Sequence, residues 1–96
     1  MRRKGKAVAE PEVSAIEYPV DFPIKVMGKN APGFAQTVTA IVLRHAPDFD
    51  PQTIEMRPSR KNTYLSLTFV IRATSRQQLD ALYSELSGHS MVAMVL

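Results

Sequence analysis

The sequence predicts an α+β domain in which one four-stranded antiparallel sheet carries two helices on the same face. Two segments, around residues 22–27 and 65–72, alternate apolar and polar residues as half-buried strands do. Two others, around residues 34–45 and 79–86, repeat apolar residues at the three- and four-residue spacing of amphipathic helices. With two weaker strand candidates, the order along the chain is β-α-β-β-α-β.

The first strand is predicted where inward and outward residues alternate: Phe22, Ile24 and Val26 against Pro23, Lys25 and Met27. Gly28 is expected to end it. Asn30 is a good N-cap for the next helix, and Pro32 is tolerated in a first helical turn. The apolar side of this helix consists of Phe34, Val38, Ile41 and Val42, with His45 at its end. Ala46 followed by Pro47 stops the helix.

A hairpin is predicted in the middle of the chain. Its first strand runs from about Thr53 to Ser59, and residues 60–62 form a polar turn. The second strand has two clear faces: Leu65, Leu67, Phe69 and Ile71 on one, and Ser66, Thr68, Val70 and Arg72 on the other. It is the strongest strand pattern in the chain.

A capping box at Thr74 and Gln77 predicts the start of the second helix, and Gly88 is expected just beyond its end. Residues 91–96 form a last strand. Right-handed crossovers then give the ferredoxin-like plait. Its predicted core is Phe22, Ile24, Val26, Phe34, Val38, Ile41, Val42, Leu65, Leu67, Phe69, Ile71, Leu79, Leu82, Tyr83 and Leu86.

Composition agrees with a single globular domain. The chain has 96 residues, of which 45% are hydrophobic and 22% charged. It contains no cysteine, which excludes disulfides, cysteine–zinc sites, iron–sulfur clusters and thiol nucleophiles. No apolar run is long enough to span a membrane, and acidic residues follow the basic start where a signal peptide would be apolar. We therefore expect a cytoplasmic protein.

Residues 1–17 have no periodic apolar pattern, and we predict a flexible N-terminal arm there, before a domain over residues 18–96. The arm holds four basic and three acidic residues, a balance of +1. The domain holds eight basic and six acidic residues, a balance of +2. A nucleic-acid-binding domain usually carries more positive charge on one face, so the charge argues against that partner.

Five segments resemble the YbeD-like proteins, a bacterial family of uncharacterised function also called UPF0250. They are FPIKVMG at 22–28, RHAP at 44–47, SRKNTY at 59–64, LYSEL at 82–86 and VAMVL at 92–96. The match extends from Tyr18 to the last residue, in order and spacing. It implies a ferredoxin-like fold similar to the regulatory ACT domain, and it implies no catalytic residues.

A more local resemblance concerns residues 26–34, which are similar to the strand–loop–helix start of ACT domains. In those domains the loop backbone contacts a bound amino acid, usually at a dimer interface. The resemblance implies a ligand-contacting loop here. The positive end of the predicted helix, the unblocked backbone at Gly33 and the nearby Lys29 cation suit a carboxylate. We therefore predict a site for a small amino or carboxylic acid at Lys29, Asn30, Pro32 and Gly33. The same motif also serves as an ordinary helix start, and Asn30 stands where an acidic residue is commoner.

Catalysis and metal binding have little support in the sequence. His45 and His89 are the only histidines and have no obvious carboxylate companion, so no metal site is predicted. No serine lies in a nucleophile-elbow motif. We therefore expect a non-enzymatic regulatory or ligand-binding module without a cofactor, which a homodimer could complete. A protein–protein adaptor is the alternative. Nucleic-acid binding is the weaker third reading, because Ser66 and Thr68 offer no stacking platform.

Overall fold

The computed structural model describes residues 16–96, which form one antiparallel sheet with two helices. The strands are β1 (Val20–Lys29), β2 (Glu55–Pro58), β3 (Tyr64–Ala73) and β4 (Val92–Val95), and the helices are α1 (Phe34–His45) and α2 (Arg76–Gly88). A short 3₁₀ turn spans Pro51–Thr53. The strand order β2-β3-β1-β4 is that of the ferredoxin-like plait, so the predicted fold is confirmed. Of the predicted arm, residues 1–15 lie outside the described part.

The two long central strands give the sheet its two faces. β1 and β3 pair along their whole length, from Val20 opposite Ala73 to Lys29 opposite Tyr64. Side chains alternate across a strand, so one face packs under the helices and the other points away from them. We call the second face the open face; it comprises Asp21, Pro23, Lys25, Met27, Glu55, Arg57, Ser66, Thr68, Val70, Arg72 and Met94.

The core lies between the helices and the covered face of the sheet. Twelve of the predicted core residues are buried: Ile24, Val26, Phe34, Val38, Ile41, Val42, Leu67, Phe69, Ile71, Leu79, Leu82 and Leu86. The other three, Phe22, Leu65 and Tyr83, pack at its rim and are only partly buried. Ala46, Phe49 and Ala73 are buried although they were not predicted to be. Phe49 enters from a loop, with its ring edge-to-face against Phe69 at a centroid distance of 5.8 Å.

The start of α1 differs from the prediction. Asn30 is not the N-cap, because its N–H donates to the Thr63 carbonyl at 2.9 Å and keeps this residue beside the hairpin. Pro32 therefore lies before the helix. Gly33 occupies the cap position in the left-handed conformation, with φ +85°, which glycine adopts without the cost of a side chain.

The capping of α2 also differs from the prediction. Ser75, not Thr74, is the N-cap, and its hydroxyl accepts from the Gln78 N–H at 3.0 Å. Gln78 in turn accepts from the Thr74 N–H at 2.7 Å. The box is one residue later than expected because Ala73 still pairs with Val20. Gly88 is the last helical residue rather than the residue beyond it, because the His89 N–H closes the final turn on Leu86.

Three strand limits also change. β1 does not end at Gly28 but continues to Lys29, with a register shift against β4 between Met27 and Gly28. β2 begins at Glu55 because Asp50 starts the 3₁₀ turn, where its carboxylate accepts from the Gln52 N–H at 3.0 Å. β4 covers only Val92–Val95. None of the helices in residues 16–96 is long and apolar enough to cross a membrane.

The ionisation of Tyr83, at the rim of the core, is expected to make the free energy of unfolding depend on pH in the alkaline range. Burial raises the pKa of its phenol above the ordinary value of 10.0, so the unfolded chain ionises first as pH rises. The contribution of Tyr83 to stability is therefore complete below pH 10.0 and is lost as pH rises towards the folded pKa. We expect Tyr83→Phe to lose less stability than the wild type between about pH 8 and about pH 11 in urea unfolding. Tyr64→Phe is the control; equal losses for wild type and Tyr83→Phe would contradict the expectation.

Candidate functional site

The four residues predicted to bind a ligand lie on one exposed loop between β1 and α1. Lys29 is the last residue of β1, and Asn30, Pro32 and Gly33 follow with their side chains or backbone at the surface. The structure thus brings the predicted residues together on a single turn. It places them outside the two grooves described below.

The backbone of this loop is shaped by two short hydrogen-bonded turns. The Ala31 N–H donates to the Lys29 carbonyl at 2.8 Å, and the Phe34 N–H donates to the Ala31 carbonyl at 3.2 Å. Gly33 then turns the chain into α1. No atom lies within 4 Å of the position that a Cβ on Gly33 would occupy, so the space above this residue is open.

The electrostatics of the loop favour an anion. No side chain caps α1, and its first turn holds no acidic residue, so the positive end of the helix is not compensated locally. Lys29 forms no ion pair with any residue of the described part. Backbone N–H groups at such a helix end, with a lysine nearby, can hold a carboxylate.

His45 has a carboxylate partner, contrary to the expectation from the sequence. Its Nε2 lies 2.7 Å from Oε1 of Glu85 on α2, and Arg44 contacts the other oxygen of the same carboxylate. The Gln78 side chain donates to the His45 carbonyl at 2.8 Å. These contacts join the end of α1 to α2. The sequence could not reveal the pair, because His45 and Glu85 are 40 residues apart and meet only when the helices pack.

His89 lies in a different place and has a local role. Its Nδ1 accepts from the Met91 N–H at 3.1 Å, in the turn that leads into β4. Within residues 16–96, no group of three or more His, Asp or Glu side chains could hold a metal ion. His45 therefore serves in a contact between helices, and His89 in a turn.

Two shallow grooves lie elsewhere on the surface. One, of about 550 Å³, crosses the open face and is lined by Lys25, Glu55, Met56, Arg57, Ser66 and Thr68. The other, of about 310 Å³, lies where Phe49 and its flanking Asp48 and Asp50 meet the ends of β1 and β3. The sequence places Lys25, Ser66 and Thr68 on the polar faces of their strands, and no site was predicted among the residues of the first groove. The signal that could have located it was the pair of small hydroxyl residues, Ser66 and Thr68, between charged strands.

Comparison with known sequences matches the chain to a family of unknown function and to bacterial UPF0250 proteins. A family described as "Protein of unknown function (DUF493)" matches residues 13–96. A UPF0250 protein of Bordetella pertussis is 64% identical over 86 residues, covering 90% of this chain and 94% of the relative. A UPF0250 protein of Nitrosomonas europaea is 60% identical over 85 residues, covering 88% of this chain and 98% of the relative. Neither name describes an enzyme.

A solved structure with a similar fold is the ACT domain from the GTP pyrophosphokinase of Chlorobium tepidum, determined by NMR. The TM-score is 0.60, and the match covers 79% of this chain and 84% of that domain at 19% sequence identity. At this identity the likeness concerns the fold alone. It supports the ferredoxin-like fold described above.

Proposed function

The chain belongs to the DUF493 family of proteins of unknown function, which includes bacterial UPF0250 proteins, and we propose that it is a non-enzymatic ligand-binding module of the ACT type. The proposed site is the loop formed by Lys29, Asn30, Pro32 and Gly33. The proposed ligand is a small amino or carboxylic acid, and its binding would regulate a partner or a second copy of the chain.

One observation carries the proposal: the open left-handed Gly33 stands directly before a helix that no side chain caps. A ligand carboxylate at this position would accept hydrogen bonds from the first-turn N–H groups and gain from the positive end of α1. The Lys29 ammonium, without an ion pair in the described residues, adds attraction for the same group. The loop is open to solvent, so a second copy of the chain would be needed to close over the ligand. We therefore include a homodimer in the proposal.

The non-enzymatic part of the proposal is supported by how the polar side chains are used. His45 and Glu85 contact each other between two helices, and the side chain of His45 is only 21% exposed. A catalytic site needs a nucleophile, a base and a group that stabilises developing charge around one reacting atom.

The cysteine-free composition supports placing the protein in the cytoplasm.

Substitution of Gly33 tests the site. Gly33→Asn should fold, because asparagine tolerates a positive φ better than other side chains, and its side chain would occupy the space over the loop. We expect calorimetric titration with the proteinogenic amino acids and short carboxylic acids to show binding to the wild type that falls by about tenfold or more in Gly33→Asn. Gly88→Asn makes the same change at a glycine that also has open space around it, and should bind as the wild type does. Unchanged affinity in a folded Gly33→Asn variant would exclude the loop.

The alternative is an adaptor that binds another protein without a small ligand. Its support is a set of large apolar side chains exposed to solvent: Met56, Tyr64, Val70, Met94 and Leu96. Nucleic-acid binding has less support, because the centre of β3 presents Ser66 and Thr68 on the open face where RNA-binding plaits present aromatic rings.

A further inference from the structure

The groove on the open face has hydroxyl groups on its floor and charged groups on its walls. Ser66 and Thr68 are outward residues of β3 and form the floor. On one side, Lys25 of β1 lies opposite Thr68. On the other side, Glu55 and Arg57 of β2 lie opposite Thr68 and Ser66. The small floor residues leave a trough between two long basic side chains.

The charges of this groove are not neutralised within the described residues. Lys25, Glu55 and Arg57 take part in none of the ion pairs there, whereas Arg72 further along the open face is paired with Asp21 at 3.2 Å. The groove therefore holds two positive charges, on Lys25 and Arg57, and one negative charge, on Glu55. A strand edge commonly carries charge to prevent aggregation, but Lys25 lies on the central strand β1, where that explanation does not apply.

An apolar area adjoins the groove on the same face. Met27 pairs with Met94 across β1 and β4, and Leu96 exchanges both backbone hydrogen bonds with Lys25, which places it beside the lysine. Met94 is 48% exposed and Leu96 63% exposed. The open face thus presents cations and hydroxyls over β2, β3 and β1, and apolar side chains over β1 and β4.

The spacing of these groups suits an extended polypeptide. Lys25 and Arg57 lie on diagonal positions two strands apart, which puts their Cα atoms about 12 Å from each other for ordinary strand spacing and rise. In an extended segment, residues i and i+2 point to the same side about 7 Å apart. The side chains of Lys25 and Arg57 are long enough to reach towards each other over the floor of the groove. Two acidic residues at positions i and i+2 of an extended segment would therefore place their carboxylates between the two cations. The next residues of the segment would reach Met94 and Leu96.

A phosphodiester chain fits the groove less well. No aromatic ring lines the floor for base stacking, and the Glu55 carboxylate would repel a continuous row of phosphates. A peptide backbone N–H, in contrast, can donate to Glu55. A small ligand also fits less well, because the groove is shallow and ligand sites normally enclose most of their ligand.

We propose that the groove formed by Lys25, Glu55, Arg57, Ser66 and Thr68 binds an extended acidic segment of a partner protein, whose apolar residues contact Met27, Met94 and Leu96. This surface shares no residue with the Lys29–Gly33 loop and does not depend on the function proposed for that loop. It defines the chemistry of a partner that either a ligand-regulated module or an adaptor would require.

The test uses the full chain and a fluorescein-labelled peptide that alternates glutamate and leucine. Fluorescence anisotropy measures affinity, and ¹⁵N NMR locates the contact. We expect shifts of the Ser66 and Thr68 amides, and a loss of affinity of about tenfold or more in the Lys25→Glu/Arg57→Glu double variant. The matched control is Arg60→Glu/Lys61→Glu, which makes the same charge change in the hairpin turn and should alter affinity by less than about twofold.

Any of four results with the peptides would overturn the proposal: no binding of the acidic peptide at millimolar concentration, equal binding of a peptide with glutamine in place of glutamate, equal loss of affinity in both double variants, or shifts confined to residues 29–33. A single-stranded uridine oligonucleotide, used in place of the peptides, tests for nucleic-acid binding. If it shifts Ser66 and Thr68 and binds more tightly than the acidic peptide, the groove is a nucleic-acid site instead. Heteronuclear spectra of each variant with the dispersion of the wild type establish that the fold is intact.

Discussion

Phe69→Ala is expected to lower the free energy of unfolding by about 3–5 kcal/mol, because it removes a large ring from the centre of the core. Phe69 is 1% exposed and lies opposite Ile24 on the neighbouring strand. Its ring also supports Phe49, which enters from the loop after α1. Truncation leaves a cavity that the surrounding strands and helices cannot fill. Denaturation with urea, monitored by circular dichroism, measures the loss.

Two variants keep this prediction testable in a domain of marginal stability. Val70→Ala, at the next position of β3, changes a side chain that is 49% exposed on the open face and should cost no more than about 0.5 kcal/mol. Phe69→Leu should be intermediate, and it supplies a measurable value if the alanine variant does not fold. Similar losses for Phe69→Ala and Val70→Ala would mean that the two faces of β3 are assigned wrongly.

Gly28→Ala is expected to cost about 3 kcal/mol, although it adds only one methyl group. A Cβ at this position would lie 2.3 Å from the Met91 carbonyl oxygen and 2.6 Å from Cε1 of Phe34. The carbonyl is backbone and Phe34 is fully buried, so neither can move without shifting the start of β4 or of α1. Thermal and urea unfolding measure the change.

Gly88→Ala provides a control of opposite sign. No atom lies within 4 Å of a Cβ on Gly88, which is in the last turn of α2. Alanine has the higher helix propensity, so this variant should be more stable than the wild type by up to about 1 kcal/mol. If Gly28→Ala were as stable as Gly88→Ala, the close approach of β4 and Phe34 to Gly28 would be disproved.

Much of the fold could be predicted because its strongest patterns are local. The alternation along β3 specifies which side chains face the helices, and the buried Leu67, Phe69 and Ile71 agree with it. Helix starts were less predictable. Asn30 and Thr74 have suitable side chains, but pairing between strands holds Asn30 to Thr63 and Ala73 to Val20, so each helix begins later. At both helix starts, the hydrogen bonds of the sheet therefore outweigh the preference of a single residue for the N-cap position.

The candidate sites also differ in how far the sequence alone could locate them. The loop at Gly33 could be recognised from a short contiguous motif, and the structure adds its left-handed backbone. The groove could not, because Lys25, Arg57 and Thr68 come from three strands whose register decides that they face one another. The contact between His45 and Glu85 depends likewise on how α1 packs against α2. Burial of Phe49 was missed because the aspartates beside it indicate a surface turn.

The ligand-binding role is tested most directly by ¹⁵N NMR titration of the wild-type chain with a panel of amino acids and short carboxylic acids. We expect at least one of these compounds to cause saturable shifts confined to residues 28–37, with the largest changes at Gly33 and in the first turn of α1. The contradicting result is an unchanged spectrum across the whole panel at millimolar concentration. That outcome would remove the β1–α1 loop as a site and leave protein binding through the open face as the function to pursue.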